Sequence, residues 1–482
     1  MKTETHRKLF LNSRLLAPFG VFLAAVLFMT CGPKDAKSPK QRGQKEKVKD
    51  KGLKLTDSRI REWVETELHF DQALDTSRVM VTVDQGIVKL TGNVKSISAK
   101  KRAQRVAQTV RGVRAVVNDI LVDPLKGLTD TSIEEMVSQA LLEDPATRRF
   151  QIDIDVKDHT VSLTGTVGSW QQSQLAEKVA GSVKGVKSVT NALVVSHDTD
   201  RSDEQIQAEV KKALRWNALV GHELIEVEVD GAKVVLTGKV GSAAERARAI
   251  SIARVRGVRK VDAIGLKVAV WARNRRRRVR RHVIKSDDAI RDAVNDALVY
   301  EPRVFSFSIT PEVRAGVVTL RGKVDNLNAM RAAAQVARNT VGVLAVRNRI
   351  KLKTEPRGDE EIESAILASF SREPYLQDED LRVEVQNGVV ELHGAVDTFF
   401  EKGRAQDVAT RVSGVLVIEN KLDVEKRDEP LTYDPYVDEY PVYETDWYDY
   451  EPLHTFKSDR RIKEKTRQGL WWSPFVDSHQ II

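Results

Sequence analysis

The sequence predicts an α+β protein of five tandem two-layer domains, each with the element order αββαβ and a three-stranded mixed sheet. Two observations support this fold class. A five-residue pattern recurs as VKLTG, VSLTG, VVLTG, VTLRG and VELHG, and its final residues are Gly92, Gly165, Gly238, Gly322 and Gly394. A second glycine follows each of them after 19 or 20 residues, at Gly112, Gly185, Gly257, Gly342 and Gly414. This near-constant offset indicates one small fold that the chain repeats five times.

In the first copy, apolar spacing predicts each element in turn. Ile60, Val64 and Leu68 lie on one face of a helix that follows an N-cap at Thr56 or Asp57. The stretch SRVMVTV then alternates as a strand, DQG turns the chain, and IVKLTGNV returns as the second strand of a hairpin. SAKKRAQRVAQTVRG predicts a second amphipathic helix, and VRAVVNDILV closes the unit as a third strand.

The two glycines of each copy have architectural tasks. Gly112 follows the second helix, where a left-handed residue ends the helix and turns the chain into the last strand. Gly92 leaves the second strand, where a missing side chain permits a bulge or a close crossing by a helix. The repeated signature therefore predicts a fold and marks no active site. Because each unit is small, we expect the five to unfold semi-independently.

The element order, the LTG glycine and the GV glycine before the last strand resemble the BON domain, the bacterial osmotic-stress and nodulation module. The resemblance covers five ranges, numbered here as copies one to five: residues 56–124, 129–197, 202–270, 286–353 and 358–426. It implies a non-catalytic protein, exported or membrane-associated, that binds phospholipid or otherwise helps to maintain the envelope. It implies no catalytic residues and no cofactor.

Residues 1–31 have the form of a signal peptide. Basic residues precede an apolar segment at 15–29 that is short for a transmembrane span, and Cys31 follows it. This arrangement resembles a bacterial lipoprotein signal, which implies lipidation of Cys31; an uncleaved anchor and a simple secretory signal are the alternatives. Gly32 after the cysteine resembles outer-membrane sorting, and implies a lipid-anchored protein of the cell envelope that faces the periplasm. Residues 32–55 are rich in lysine and predict a flexible linker.

An arginine-rich linker, residues 271–285, separates copies three and four. Its sequence WARNRRRRVRRHVIK includes Arg275, Arg276, Arg277 and Arg278. Arginine binds phosphate through paired donors, so contact with anionic lipid or lipopolysaccharide is one interpretation. Docking onto the acidic tail and a solvated linker are the others. Export of the chain argues against nucleic acid as a partner.

The second helix of copy one carries the remaining candidates for lipid binding. Its basic residues Lys100, Lys101, Arg102 and Arg105 are expected to face water, and Arg246 and Arg248 of copy three form a weaker group. The formal net charge of +9 also favours an anionic partner. We therefore expect the chain to bind anionic phospholipid or another envelope component.

Residues 427–482 form an acidic, tyrosine-rich tail with tryptophans near its end. The segment YDPYVDEYPVYETDWYDYEP holds six of the eight tyrosines and no basic residue. Its composition predicts little regular structure, while tyrosine favours interfaces. Envelope proteins are thus a second kind of partner, and a protein-interaction scaffold or periplasmic chaperone is the alternative function.

Enzymatic motifs are absent from the sequence. HELIE at residues 222–226 lacks the second histidine of a zincin helix and enters a predicted strand. The nine histidines have no metal-ligand spacing, and no nucleophile, base and orienting group occur together. The sequence therefore predicts no enzyme, no cofactor and no metal site.

Overall fold

The computed structural model describes ten ranges of the chain: residues 55–71, 73–75, 78–124, 127–148, 150–196, 201–272, 285–304, 308–354, 356–376 and 380–424. Cys31 and the linker arginines Arg275, Arg276, Arg277 and Arg278 lie outside the described residues, as does the tail at 427–482. Across the described residues, no helix combines the length and the apolar character needed to cross a bilayer.

All five copies share one order of elements. Copy one contains α1 Asp57–His69, β1 Val79–Asp84, β2 Ile87–Val94, α2 Ile97–Thr109 and β3 Ala115–Val122. Copy two contains α3 Asp130–Glu143, β4 Gln151–Lys157, β5 Thr160–Val167, α4 Trp170–Gly181, β6 Ser188–Asn191 and β7 Val194–Val195. Copy three contains α5 Asp203–Trp216, a 3-10 turn at His222–Leu224, β8 Ile225–Asp230, β9 Lys233–Val240, α6 Ala243–Ile252, β10 Lys260–Asp262 and β11 Leu266–Val268.

Copies four and five repeat the same order. Copy four contains α7 Asp287–Val299, β12 Ile309–Arg314, β13 Val317–Val324, α8 Leu327–Arg338 and β14 Ala345–Leu352. Copy five contains α9 Asp359–Arg372, β15 Leu381–Gln386, β16 Val389–Val396, α10 Phe399–Ala409, β17 Val417–Asn420 and β18 Asp423–Val424.

Each copy has a mixed sheet with the second strand at its centre. In copy one, β1 and β2 form an antiparallel hairpin, and β3 pairs with β2 in parallel. In copies two, three and five the last strand is interrupted, and both pieces pair with the same central strand. The predicted α+β fold with five small αββαβ domains is confirmed.

The core of each copy lies between its sheet and its two helices. Ile60, Val64 and Leu68 of α1 are buried, as the helical spacing predicts. On β2, Val88 and Leu90 are fully buried while Ile87 and Lys89 are exposed, which is the alternation of a half-buried strand. One face of the sheet therefore meets the helices, and the other is left to solvent.

The strand glycines allow a close approach of backbone to backbone. Gly92 lies within β2 opposite Val79, and its φ is +113°. A Cβ atom there would come within 1.9 Å of the carbonyl oxygen of Arg78. The close neighbour is therefore the hairpin partner strand, and the expectation of a helix crossing at this position is wrong. Gly112 has φ +99°, the kind of backbone predicted for a residue that ends a helix.

An aspartate at the first helical position ties each copy's first helix to its hairpin. The Asp57 carboxylate accepts hydrogen bonds from the backbone N–H groups of Gln85 and Gly86, both at 2.8 Å. The equivalent carboxylates make the same pair of bonds in the other copies: Asp130, Asp203, Asp287 and Asp359. Thr56 is the N-cap of α1, so the sequence alternative of an Asp57 cap is wrong.

This tie makes copy two sensitive to acid. Hydrogen bonds from the backbone N–H groups of His159 and Asp158 lower the pKa of the Asp130 carboxyl. Its stabilisation is therefore complete above the unfolded pKa of about 3.9, and is lost as pH falls through the lower folded value. We expect Asp130→Asn to remove this acid-dependent part of the unfolding free energy, measured by urea denaturation at a series of pH values. Asp153→Asn on the exposed strand face is the control, and an identical loss in both variants would contradict the assignment.

The copies are joined by interfaces. The buried apolar residues of copies one and two form one continuous cluster that also includes Ala243 of copy three, while copies three, four and five each have a further cluster of their own. The backbone N–H of Lys184 donates to the carbonyl of Arg372 at 2.8 Å, which joins copy two to copy five. Val341 N–H donates to the Trp216 carbonyl at 2.9 Å, and so joins copy four to copy three. The copies therefore contact one another, and their semi-independent unfolding stays a prediction.

Candidate functional site

A cavity of about 1010 Å³ lies between copies one to four. The second helices of these copies line it, together with the first helices of copies three and four. Equivalent repeat positions face inward, each thirteen residues after the strand glycine of its copy: Arg105, Lys178, Ser251 and Gln335. The repeat thus brings the same face of four helices around one space, which we call the central cavity.

The lining of the central cavity is cationic. Seven basic residues contribute to it: Lys101, Arg105, Lys178, Arg201, Lys212, Arg248 and Arg303. Three acidic residues oppose them: Glu209, Asp296 and Glu301. Because the bases outnumber the acids by four, the cavity favours an anionic ligand.

Each of the three acids is already paired with a base of the lining. Arg201 pairs with Glu209, and Lys212 Nζ lies 2.5 Å from an Asp296 carboxylate oxygen. Arg303 Nε lies 2.7 Å from Glu301 Oε1.

The Glu301 pair lies in the more buried part of the lining. Burial acts to raise the pKa of Glu301, but the charge and hydrogen bonds of Arg303, with a further contribution from Lys178, outweigh it and lower that pKa. The Glu301 carboxylate therefore stays ionised and bonded to protein.

Two tryptophan rings of this cavity lie at boundaries between copies. The Arg254 guanidinium lies over the ring of Trp170 at 4.5 Å, and Lys285 Nζ lies 5.2 Å from the Trp216 ring centroid. Gln171 Nε2 also donates to the carbonyl of Arg254 at 2.9 Å. The two Arg254 contacts hold copy two against copy three, and the Lys285 contact joins copy three to the residue that precedes copy four. Both indole rings lie in the cavity wall.

The predicted lipid-binding residues of α2 lie in three different environments. Lys101 and Arg105 line the central cavity, whereas Lys100 lies outside that lining. Lys101 Nζ donates to Glu177 of copy two at 2.8 Å. The prediction that Arg102 faces water is wrong, because its side chain is buried against other residues of the chain. In copy three, Arg248 lines the cavity, but Arg246 donates to backbone carbonyls of its own copy.

Arg102 belongs to a buried cluster between copies one and five. Its Nε lies 2.6 Å from Asp71 Oδ1, and its guanidinium lies 4.7 Å from the centroid of the Phe400 ring. In copy five the equivalent pair, Arg404 and Glu373, is separated by 2.7 Å.

A tyrosine completes this cluster. The ring of Tyr375 meets Phe400 edge to face, and burial raises the Tyr375 pKa to about 12. This cluster is not among the sites that the sequence predicts. Its signal is an arginine ten residues after the strand glycine, with an acid 21 residues before that glycine, in both copies.

A second group of polar side chains lies on the exposed sheet of copy five. Glu384, Glu391 and His393 have potential metal-ligand atoms within 4.8 Å of one another. Lys421 Nζ, however, lies 2.6 Å from Glu391 Oε2 and lowers the pKa of that carboxyl. The Lys421 ammonium already neutralises the Glu391 carboxylate that a metal ion would need as a ligand. We interpret the group as a surface ion-pair network, brought together by strand pairing that no sequence spacing indicates.

The fold and the cavity define the class of protein: a tandem array of small α+β repeats, joined side by side around a cationic space. The BON domain family matches five segments of the chain, at residues 56–124, 129–197, 202–269, 286–354 and 358–426. The chain therefore belongs to the BON domain family. BON-domain proteins are generally non-catalytic, and the match indicates no enzyme family.

Individual relatives resemble parts of the chain. Osmotically-inducible protein Y of Escherichia coli (strain K12) is 34% identical over 145 residues, which are 29% of this chain and 72% of the relative. The 21 kDa hemolysin of Actinobacillus pleuropneumoniae is 26% identical over 147 residues, or 30% and 75% of the two chains. The C-terminal domain of CdsD, a structural protein of the Chlamydia trachomatis type III secretion system, matches over 42% of this chain and 94% of that domain, at 14% identity and with a TM-score of 0.12.

Proposed function

We propose that this chain is a non-catalytic protein of the cell envelope that binds anionic phospholipid, or another anionic envelope component, through its tandem BON domains. An acyl anchor on Cys31 holds it at the outer membrane, where the domains face the periplasm. In this position it supports membrane integrity or tolerance of envelope stress.

The observation that carries this proposal is the excess of cations that the second helices bring together around the central cavity. Basic groups gain about 1 kcal/mol each near an anionic bilayer. Several weak contacts on one chain share a high effective concentration, so their combined affinity exceeds that of any single copy. The names of two relatives, an osmotically-inducible protein and a hemolysin, agree with action at an envelope or a membrane.

Vesicle flotation tests the proposal without the anchor. Residues 32–482 lack Cys31, so they reach a vesicle without an acyl anchor, through the folded domains, the two basic linkers and the tail. We expect co-flotation with phosphatidylglycerol vesicles at low salt, a progressive loss as salt shortens the screening length, and no flotation with phosphatidylcholine vesicles. Failure to float with anionic vesicles at low salt, or equal flotation with neutral ones, would remove the lipid-binding proposal.

A further inference from the structure

We propose that the central cavity is a discrete site for a phosphate ester, with the phosphate held between the guanidinium groups of Arg105 and Arg248. Both residues line the cavity, from helices α2 and α6 of copies one and three. These two helices pack directly against each other. The inference deepens the proposed function by naming the bound group, and it rests on that function only for a lipid source of the ligand.

The ion pairs of the lining are unevenly distributed among its basic residues. Arg201, Lys212 and Arg303 each pair with an acid of the cavity wall, and Lys101 pairs with Glu177. Among the described residues, neither Arg105 nor Arg248 has an ion pair or a hydrogen bond through its guanidinium. The acids of the cavity thus form ion pairs with other bases. In the described residues no ion pair compensates the charge of Arg105 or Arg248.

These two arginines also have buried donor atoms without an acceptor. The Nε atoms of Arg105 and Arg248 are both shielded from solvent and meet no acceptor in the described part of the chain. A buried donor without a partner costs free energy, and native proteins leave few of them. A guanidinium presents its donors as a planar fork that matches phosphate oxygens, and two such forks on adjacent helices suit one phosphate group.

The rest of the lining indicates which organic group is esterified to the phosphate. A volume of about 1010 Å³ is at the upper end for small-molecule sites and far exceeds one phosphate. Beyond the charged residues, the wall offers side-chain amides and aromatic rings: Gln171, Gln174, Gln335, Trp170, Trp216 and Tyr300. Amides bond hydroxyl groups, and ring faces pack against the carbon skeleton between them. The ligand class is therefore a phosphate ester of a polyol, either free or as the headgroup of a glycerophospholipid.

Calorimetry and thermal shift with residues 32–482 test this site. The soluble probe is glycerol 3-phosphate, the lipid probe is dihexanoyl-phosphatidylglycerol below its critical micelle concentration, and glycerol is the negative ligand. We expect one equivalent of at least one phosphate probe to bind and to raise the melting temperature. The probe that binds identifies the source. The double variant Arg105→Gln/Arg248→Gln is expected to weaken that binding about 100-fold, because it removes two charge-assisted contacts.

The matched control removes the same charge from the opposite side of a copy. Arg347 and Arg349 are exposed on β14, and Arg347→Gln/Arg349→Gln should bind the probe within about twofold of the parent. Arg105→Lys/Arg248→Lys keeps the charge without the fork, so we expect intermediate affinity. Equal melting temperatures of the ligand-free proteins verify that the substitutions leave the fold intact; if the glutamine variant melts lower, the lysine variant alone decides.

The outcomes separate this inference from the proposed function. If neither phosphate probe binds, or if the cavity and control variants lose affinity equally, the phosphate site is wrong, even where anionic vesicles still bind the parent protein. If a phosphate probe binds in an arginine-dependent way while vesicles do not float the chain, the site stands and the membrane proposal fails.

Discussion

Replacing Arg102 with alanine is expected to lower the free energy of unfolding by about 3–5 kcal/mol, the usual cost of breaking a buried ion pair by removing one partner. Asp71 is 1% exposed and Arg102 is 7% exposed, so the substitution leaves the carboxylate desolvated without its guanidinium. It also removes the cation from the Phe400 ring of copy five. Chemical denaturation gives the magnitude, and hydrogen exchange should show faster opening in copies one and five.

An exposed pair in the same copy provides the control. Arg61 lies 3.7 Å from Glu65, and both side chains are more than half exposed. Arg61→Ala should therefore change stability by less than about 0.5 kcal/mol. Replacing both Asp71 and Arg102 by apolar residues should recover much of the loss, because no charge is then left buried. If Arg102→Ala costs no more than Arg61→Ala, the cluster contributes no stability and its interface role is refuted.

The second large effect is expected at a strand glycine. A Cβ atom on Gly238 would come within 2.0 Å of the Leu224 carbonyl oxygen, and the φ of Gly238 is +110°. Because the obstacle is the backbone of the hairpin partner, it is held by the strand pairing. We expect Gly238→Ala to cost about 4 kcal/mol or more and to unfold copy three selectively. Hydrogen exchange resolved by peptide measures this local loss.

A neighbouring glycine separates clash from backbone strain. Gly231, in the turn of the same hairpin, has φ +56° and open space around its missing side chain. Gly231→Ala should therefore cost only the left-handed strain of an alanine, about 1–2 kcal/mol. Similar exchange rates in the two variants would mean that the strand glycine is not held by a close backbone contact.

The sequence was sufficient for the fold because the repeat shows the same local rules five times. The spacing of Ile60, Val64 and Leu68 specifies a buried helix face, and the offset of the two glycines specifies backbone turns that other residues adopt with strain. These are short-range properties, so a pattern of a few residues contains them. Even here the alternative of a helix crossing at Gly92 is wrong, because the pattern indicates a close contact without showing which element makes it.

Arg102 shows why the candidate site was harder to predict. Helical periodicity gives the direction of a side chain from its own helix, but it does not say what another copy places there. Phe400, which covers Arg102, lies almost 300 residues further along the chain. The sequence indicates Arg105 by its charge alone, whereas its distinguishing feature is the absence of an acceptor for its Nε–H in a cavity built by several copies. Such a property belongs to the assembled copies and has no local sequence signal.

The contact between copies two and five has a consequence for the newly made chain. Arg372 bonds Glu143, which precedes it by 229 residues. At a synthesis rate of 5–20 residues per second, roughly 10–50 s pass before the later residue exists. During that interval the first helix of copy two has been synthesised, but the helix of copy five that contacts it has not. An early domain of the nascent protein therefore exposes a contact surface until the last domain has been made.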